Sequence, residues 1–311
     1  NTSVGSPVRF VASASSPNGI SSMTINVDSQ DAFRINSYNL DTYINMSPGP
    51  HRVLVKAWDN RGNYADVPLN LSVGATYNSP NVGTQLTGTW NMMQAESGWG
   101  SCTECAGNVT GTGTPAGYAM TQHQGNPSLS GDATKFDIWG QYPYSNVLWN
   151  RHLIGDGSGR LDVNNIVTQV HHFKYDVWFY FTNAHAMEAI EFDINQFFGG
   201  KSFIWGHECR VLGGNMWDVW NNTLQRWEST GFPCYPNTNA WNHVVIEVER
   251  TWDDQLHYVY IELNGQRHWM NRYEPPTPTN WYGITINFQL DGNYRQEPYS
   301  AWLDKLSFSY W

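Results

Sequence analysis

Charged residues are scarce in this chain, and basic residues are scarcest. Charged side chains make up 14% of the 311 residues, against about 25% in an average soluble protein. Only five of the 17 basic residues are lysine, and the formal net charge is −10. Nucleic acids and anionic membranes bind basic surfaces that displace their counterions. The composition therefore argues against both as partners.

Long apolar runs are also absent. No stretch approaches the roughly 18 consecutive apolar residues of a membrane-spanning helix. The chain begins at Asn1 with neither a start methionine nor a signal peptide, as expected of a mature or truncated secreted chain. Little lysine beside abundant tryptophan, asparagine, glycine and threonine is typical of extracellular proteins that face carbohydrate. We therefore expect a secreted protein with a polysaccharide partner.

The sequence contains only four cysteines. Cys102 and Cys105 are closely spaced, but a zinc site would need a second close pair. In a secreted chain the disulfides Cys102–Cys105 and Cys209–Cys234 are expected among the three possible pairings. Nucleotide-binding loops, nucleophilic-serine motifs and His-Glu-x-x-His motifs are missing. No cofactor is expected.

Aromatic residues, by contrast, are abundant, and they divide the chain. Trp58 is the only tryptophan before Trp90, and 15 of the 16 tryptophans lie from there onward. Residues 1–75 contain short alternating strands separated by turns, which predicts a β-sandwich. Residues 76–88 are rich in glycine, asparagine and serine without periodicity, which predicts a linker. The domain with the aromatic surface then covers residues 89–311.

The first segment resembles the bacterial immunoglobulin-like accessory domains. The residues that carry the resemblance are 51–63 and the closing strand 69–73. The resemblance implies a spacer or adhesive module, and no chemistry is assigned to it.

Strand periodicity continues through the second domain. Phe173, Tyr175, Val177, Phe179 and Phe181 alternate with polar residues, and the same pattern recurs in residues 188–195. Asn264-Gly265 is typical of a type I′ hairpin turn. The predicted fold class is all-β: an immunoglobulin-like sandwich followed by a jelly roll.

This domain is similar to the concanavalin A-like lectin and glucanase superfamily. The similarity rests on residues 173–181, 189–194, 241–244, 264–266 and 302–306. It implies a concanavalin A-like jelly roll that acts on glycans. A structural Ca²⁺ is common in the superfamily, but no Asp-rich loop identifies a site for one.

Two carboxylates are the first candidates for catalysis. Glu191 and Asp193 lie at alternate positions of one strand, so they share a face about 6.5–7 Å apart. The segment resembles the catalytic strand of family 16 glycoside hydrolases. By that resemblance Glu191 is the nucleophile and Asp193 its supporting carboxylate. Asn195 stands where the family places its general acid.

Hairpin geometry supplies another candidate acid. If Gly199 and Gly200 form a two-residue turn, Glu191 lies directly opposite Glu208 on the next strand. Carboxyl groups about 5–5.5 Å apart suit a retaining glycosidase. Arg210, two residues further along, is positioned to keep one carboxylate ionised.

Two other resemblances leave alternatives open. Glu297 lies in a Glu-Pro-aromatic stretch similar to the acid/base segment of family 12 glycoside hydrolases, which makes it a rival acid. Tyr294, Gln169 and His171 resemble motifs of jelly-roll alginate lyases. The Arg-rich strand of those lyases is missing, and an acidic protein suits a polyanionic substrate poorly.

Further polar and aromatic residues are expected to line the same groove and bind sugar. We therefore expect a retaining endo-β-glycanase acting on a neutral β-glucan, with a non-catalytic lectin-like protein as the alternative and a polysaccharide lyase as a weaker one. The expected substrate-binding residues are Arg210, Trp178, Tyr180, Tyr258, Tyr260, Asn287, Gln289 and Asp291.

Overall fold

Strands form nearly all the regular structure of the computed structural model. It describes residues 2–4, 8–44, 46, 49–73, 87–102, 117–140, 143–295 and 297–311. The chain divides into two compact units, residues 1–84 and 85–311. In the described residues no helix is long and apolar enough to cross a membrane.

The first unit is a small β-sandwich. Its larger sheet has the order β1-β7-β6-β3-β4, with β1 parallel to β7, and β2 pairs with β5 in the second sheet. Phe10 and Leu40 from the smaller sheet pack with Ile25 and Val53 from the larger one. The strands are β1 Thr2–Val4, β2 Val8–Ser13, β3 Ile20–Val27, β4 Gln30–Ile35, β5 Asn39–Ile44, β6 Gly49–Asp59 and β7 Tyr64–Val73.

The second unit contains two large antiparallel sheets, between which the chain crosses repeatedly as in a jelly roll. The strands are β8 Gly88–Trp90, β9 Trp99–Cys102, β10 Gly117–Gln124, β11 Ala133–Trp139, β12 Asn146–Gly155, β13 His172–Phe181, β14 Met187–Phe198, β15 Lys201–Arg210, β16 Met216–Asn221, β17 Arg226–Pro233, β18 Trp241–Arg250, β19 Leu256–Leu263, β20 Gln266–Glu274, β21 Thr277–Pro278, β22 Gly283–Gly292 and β23 Tyr299–Tyr310. A 3-10 turn, Met93–Ala95, and a one-turn helix α1, Ile166–Gln169, are also present.

We call the two sheets of this unit the β13 sheet and the β14 sheet. The β13 sheet has the order β10-β11-β23-β13-β18-β19-β20, with β8 paired to β23. The β14 sheet has the order β17-β16-β15-β14-β22-β12-β9, with β21 paired to β15. The predicted all-β class with sandwich-type sheets is confirmed.

One apolar core lies between these two sheets, as the alternation predicted. Phe173, Phe179 and Phe181 of β13 are fully buried, and so are Phe192 and Ile194 of β14. Aromatic rings meet across the core: Phe179 and Phe192 lie 5.5 Å apart between ring centroids. Burying apolar surface contributes about 25 cal/mol per Å², so this core fixes which face of each strand remains outside.

The Gly199-Gly200 turn sets the register of the β14–β15 hairpin. Both glycines have positive φ, 58° and 77°, which two-residue type I′ turns require. Phe198 therefore pairs with Lys201, and Glu191 pairs with Glu208. The predicted turn and register are confirmed.

A disulfide joins the buried Cys209 and Cys234, with Cα atoms 5.8 Å apart. Cys209 follows Glu208 on β15, so the bridge ties that strand to the segment after β17. This predicted pairing is confirmed. Cys105 lies outside the described residues, so the Cys102–Cys105 pairing stays a prediction.

We expect the double variant Cys209→Ser/Cys234→Ser to destabilise the second unit by about 2–4 kcal/mol, because the open chain gains conformational entropy on unfolding. Urea unfolding followed by tryptophan fluorescence measures this, since 15 of the 16 tryptophans lie in this part of the chain. The wild-type protein kept reduced is the control. An unchanged midpoint in the double variant would contradict the structural role of the bridge.

Candidate active site

The candidate site lies on the face of the β14 sheet that points away from the core. Alternation along β14 places Glu191, Asp193 and Asn195 on this face while their neighbours enter the core. Packing against adjacent side chains leaves each of the three only 4–6% exposed. The sequence segment singled out for catalysis therefore forms the centre of a polar surface.

Hydrogen bonds from β22 hold the two acids of β14. Gln289 pairs with Glu191, and Asn287 pairs with Asp193. The Gln289 amide nitrogen donates to Glu191 Oε1 at 2.6 Å and to Asp291 Oδ1 at 2.9 Å. Asn287 Nδ2 donates to Asp193 Oδ2 at 3.2 Å. These amides fix the orientation of the carboxylates.

Strand β22 brings a third carboxylate to the pair. Asp291 lies two residues after Gln289, so alternation places both on the same face, and it pairs with Ala189 in the register that pairs Gln289 with Glu191. One carboxylate oxygen each from Glu191, Glu208 and Asp291 lies within 4.8 Å of the others. We call these three residues the carboxylate cluster. Alternation along β22 predicted the face on which Asp291 lies, but the cluster itself was not predicted, because alternation does not reveal that β22 pairs with β14.

Burial and mutual repulsion raise the pKa values of the cluster. Burial is the largest cause for Glu191, and the charges of Asp291, Asp193 and Glu208 raise its pKa further. Burial, with the charge of Asp291, raises the pKa of Glu208 to about 9. Burial also raises the pKa of Asp291 to about 7. The cluster therefore retains protons at neutral pH, as a general acid must.

Arg210 is less closely associated with the cluster than we predicted. Its Nε lies 2.9 Å from Asp218 Oδ2, and its Nη1 donates to Gly213 O. Asp218, which pairs with Glu208 from β16, was missed at the sequence level. The Arg210 charge lowers the pKa of Glu208 but does not offset its burial.

Two tryptophans beside the cluster were also missed. Trp220 pairs with Trp227, and their ring centroids lie 5.5 Å apart. Both are half-buried. A Cβ built on Gly206 would lie 2.8 Å from Trp220 Cβ and 3.0 Å from the Trp227 ring, so only glycine allows this packing. Gly206 pairs with Asp193, which places the indoles on the acids' side of the sheet. The alternation of Asp218 and Trp220 after the β15 strand is the signal that could have found them.

Three buried side-chain oxygens on the same face have no hydrogen-bond partner among the described residues. They are Asp193 Oδ1, Asn195 Oδ1 and Oδ1 of Asn146, which pairs with Asp291. Asn195 Nδ2 donates to Thr285 Oγ1 at 3.0 Å, so only the oxygen is left over. Unpaired buried polar atoms are costly and concentrate where a ligand supplies the missing bond. Burial raises the pKa of Asp193 to about 6.

Four aromatic residues were predicted to line the groove beside the acids, and that placement was wrong. Trp178 and Tyr180 of β13, and Tyr260 of β19, belong to the β13 sheet. Tyr258 is fully buried, and its hydroxyl donates to Trp220 O at 2.8 Å. Alternation tells which face of a strand a residue occupies, but not to which sheet the strand belongs. A bulge between Tyr258 and Tyr260 also turns these two residues to opposite faces. Asn287, Gln289 and Asp291 do lie on the predicted face.

The rival acid and the lyase residues lie outside the cluster. Glu297 is exposed and accepts a 3.4 Å hydrogen bond from Asn183 Nδ2. Gln169 is exposed at the end of α1, and Tyr294 is exposed after β22. His171 is buried, with Nδ1 2.6 Å from Arg250 O. These four residues are therefore not part of the carboxylate cluster.

Comparisons with known proteins give weak similarities. The sequence matches no family profile and no curated protein. A structure of carbohydrate-binding modules from the β-sandwich superfamily is 10% identical, with 96% of each chain covered and a TM-score of 0.30. Peanut lectin is 10% identical, and the match covers 72% of this chain and 97% of the lectin with a TM-score of 0.40. The Bacillus licheniformis β-glucanase is 11% identical, and the match covers 72% of this chain and 97% of the glucanase with a TM-score of 0.38. Similarities this low define neither a family nor a function for this chain.

We expect the stability of the second unit to fall as the pH rises from 7 to 9. The raised pKa values mean that the folded cluster holds protons which the unfolded chain has already released, so rising pH favours unfolding. Thermal unfolding by tryptophan fluorescence measures the slope. Glu208→Gln, which cannot ionise, should flatten it, and an equal slope in both proteins would contradict the assignment.

Proposed function

We propose that the second unit is a retaining endo-β-glycanase that hydrolyses a neutral β-glucan. The observation that carries this proposal is the direct pairing of Glu191 with Glu208, whose carboxylate oxygens lie within 4.8 Å. Retaining glycosidases hold two carboxyl groups about 5–5.5 Å apart, whereas inverting enzymes need about 6.5–9.5 Å to admit a water molecule.

The surroundings of the two glutamates support different roles. Gln289 donates to Glu191 Oε1, and an amide donor favours the ionised carboxylate of a nucleophile. The pKa of Glu191 is raised by burial, so Glu191 must pass its proton to the neighbouring carboxylate of Asp291 before it attacks. Glu208 has the raised pKa of a general acid. Glu208 therefore protonates the glycosidic oxygen while Glu191 attacks the anomeric carbon, and Glu208 then deprotonates the water that releases the sugar.

A row of residues beside the acids runs across the strands of the β14 sheet and suits a glycan chain lying in the same direction. Trp220, Gly206, Asp193, Asn287 and Asn150 follow one another across five neighbouring strands. The indole supports stacking on a sugar ring, and the glycine lets the ring approach closely. The carboxylate and the amides hydrogen-bond to hydroxyls. Neighbouring strands are about 4.8 Å apart, so this row is about 19 Å long.

Charge favours a neutral substrate. Glu191, Asp193, Glu208, Asp218 and Asp291 all lie on this face. The charge of Arg210 acts on Glu208, but its guanidinium forms an ion pair with Asp218. A uronate polymer would be repelled by such a surface.

A second candidate function is carbohydrate binding without hydrolysis. Three carboxylate oxygens within 4.8 Å of one another fit a hard cation such as Ca²⁺, whose ligand oxygens lie about 2.3–2.6 Å from it. Glu191, Glu208 and Asp291 would hold the ion, and the ion would supply a positive charge that binds sugar hydroxyls. Binding abolished by a chelator, without sugar release at any Ca²⁺ concentration, would favour this candidate.

For the first unit we infer an immunoglobulin-like accessory role, as a spacer or adhesive module. It has its own core and two small sheets. We further infer that the protein is secreted, because a disulfide such as Cys209–Cys234 persists in oxidising compartments.

Sugar release from β-glucans, xylan, mannan and alginate tests the proposed hydrolase. We expect the wild type to release sugar from a β-glucan, and Glu191→Gln or Glu208→Gln to lose about 10³-fold or more of the rate, because each removes a group that acts in the transition state. Pull-down on the same insoluble polymers should show retained binding.

Glu297→Gln is the matched control, because it makes the same change on an exposed loop outside the cluster. Its rate should equal that of the wild type. A large loss in this variant, with full activity in Glu208→Gln, would assign the acid to Glu297 instead. Binding without turnover in every protein would refute the hydrolase proposal.

A further inference from the structure

The outer face of the β13 sheet carries a second group of aromatic residues. Trp178 and Tyr180 point away from the core, because Phe173, Tyr175 and Val177 on the alternate positions are fully buried. Tyr180 pairs with Trp241 on one neighbouring strand and with Trp302 on the other. Trp178 pairs with His243. We call Trp178, Tyr180, Trp241, His243 and Trp302 the outer aromatic patch.

The rings of this patch form two groups of contacting side chains on neighbouring positions of one face. Tyr180 lies 5.8 Å from Trp241 and 5.5 Å from Trp302 between ring centroids. Trp178 stacks on His243 at 4.6 Å, with ring planes 9° apart. Trp178, Tyr180 and Trp241 are half-buried by these contacts and keep part of their surface in solvent. Mutual packing holds the rings in place before any ligand arrives, which reduces the entropy that binding costs.

Charges around the patch are paired on the same face. Lys135 Nζ lies 2.7 Å from Asp137 and 5.5 Å from the centre of the Trp302 ring. Asp176 lies 2.7 Å from His243 Nε2 and 3.7 Å from Lys174 Nζ. The two lysines and two aspartates beside the patch therefore balance in charge, while Glu247 and Glu249 lie on the same face further along β18. The patch differs in this balance from the acidic face of the β14 sheet.

A neutral polysaccharide fits this surface. The C–H groups of a pyranose ring pack on aromatic faces, while paired ionic groups and the Tyr180 hydroxyl hydrogen-bond to sugar hydroxyls. The balanced charge beside the patch favours neither a polyanion nor a polycation. Trp241, Tyr180 and Trp302 occupy three adjacent strands and span about 10 Å.

We propose that the outer aromatic patch is a separate binding surface for neutral polysaccharide, on the opposite side of the sandwich from the carboxylate cluster. The two surfaces are the outward faces of two sheets that share one core. This proposal has only the class of ligand, neutral polysaccharide, in common with the proposed function, and it does not depend on hydrolysis. It holds the protein on an insoluble polymer while the other face remains open.

The double variant Trp178→Ala/Trp241→Ala of the full chain tests this proposal on cellulose and on insoluble β-1,3-glucan. Removing two stacking rings should weaken binding to the polymer by about 10- to 100-fold. Hydrolysis of soluble oligosaccharide should stay at the wild-type rate. Trp178→Phe/Trp241→Phe keeps two rings and should restore most of the binding, which shows that a loss in the alanine variant does not come from misfolding.

Trp252→Ala is the matched control, because this tryptophan is 69% exposed in the turn between β18 and β19, away from the patch. It should bind as the wild type does. Unchanged binding in the alanine double variant, equal loss in the control, or no binding by the wild type would overturn the proposal. Binding lost in the double variant of a protein that hydrolyses nothing would support the patch and refute the proposed function alone.

Discussion

Two acidic side chains, Glu191 and Glu208, face each other on adjacent strands, and the chemistry of the second unit depends on that pairing. Like charges at directly opposed positions destabilise a sheet, and here both groups are also buried. The fold tolerates them because the Gly199-Gly200 turn leaves no other register in which the core residues of β14 face inward. Protons held by the cluster reduce the repulsion further.

The rest of the site follows from this constraint. Gln289 lies beside the pair and offers its amide to one member. Asp291 lies two residues after Gln289 on the same face and gives the cluster a third group that can hold a proton. The disulfide at Cys209 anchors the strand that carries Glu208. The same core that enforces the register also separates the acidic face from the outer aromatic patch of the β13 sheet.

Much of this arrangement could be predicted from the sequence, because it depends on local rules. Alternation of apolar and polar residues identified β13 and β14, and a two-residue glycine turn was enough to pair Glu191 with Glu208. The predictions that failed depended on the order of the strands in each sheet and on bulges, neither of which follows from a single hairpin. Trp178 and Tyr180 were assigned to the wrong sheet, because alternation says nothing about strand order. Tyr258 and Tyr260 lie on either side of a bulge, which shifts the register without a sequence signal.

The most direct test of the central claim is the stereochemistry of hydrolysis, followed by proton NMR of the first sugar released from a β-glucan. A carboxyl pair this close leaves no room for an attacking water in the first step, so the new reducing end should appear as the β anomer and only later equilibrate. Initial release of the α anomer would show inversion and contradict the roles given to Glu191 and Glu208.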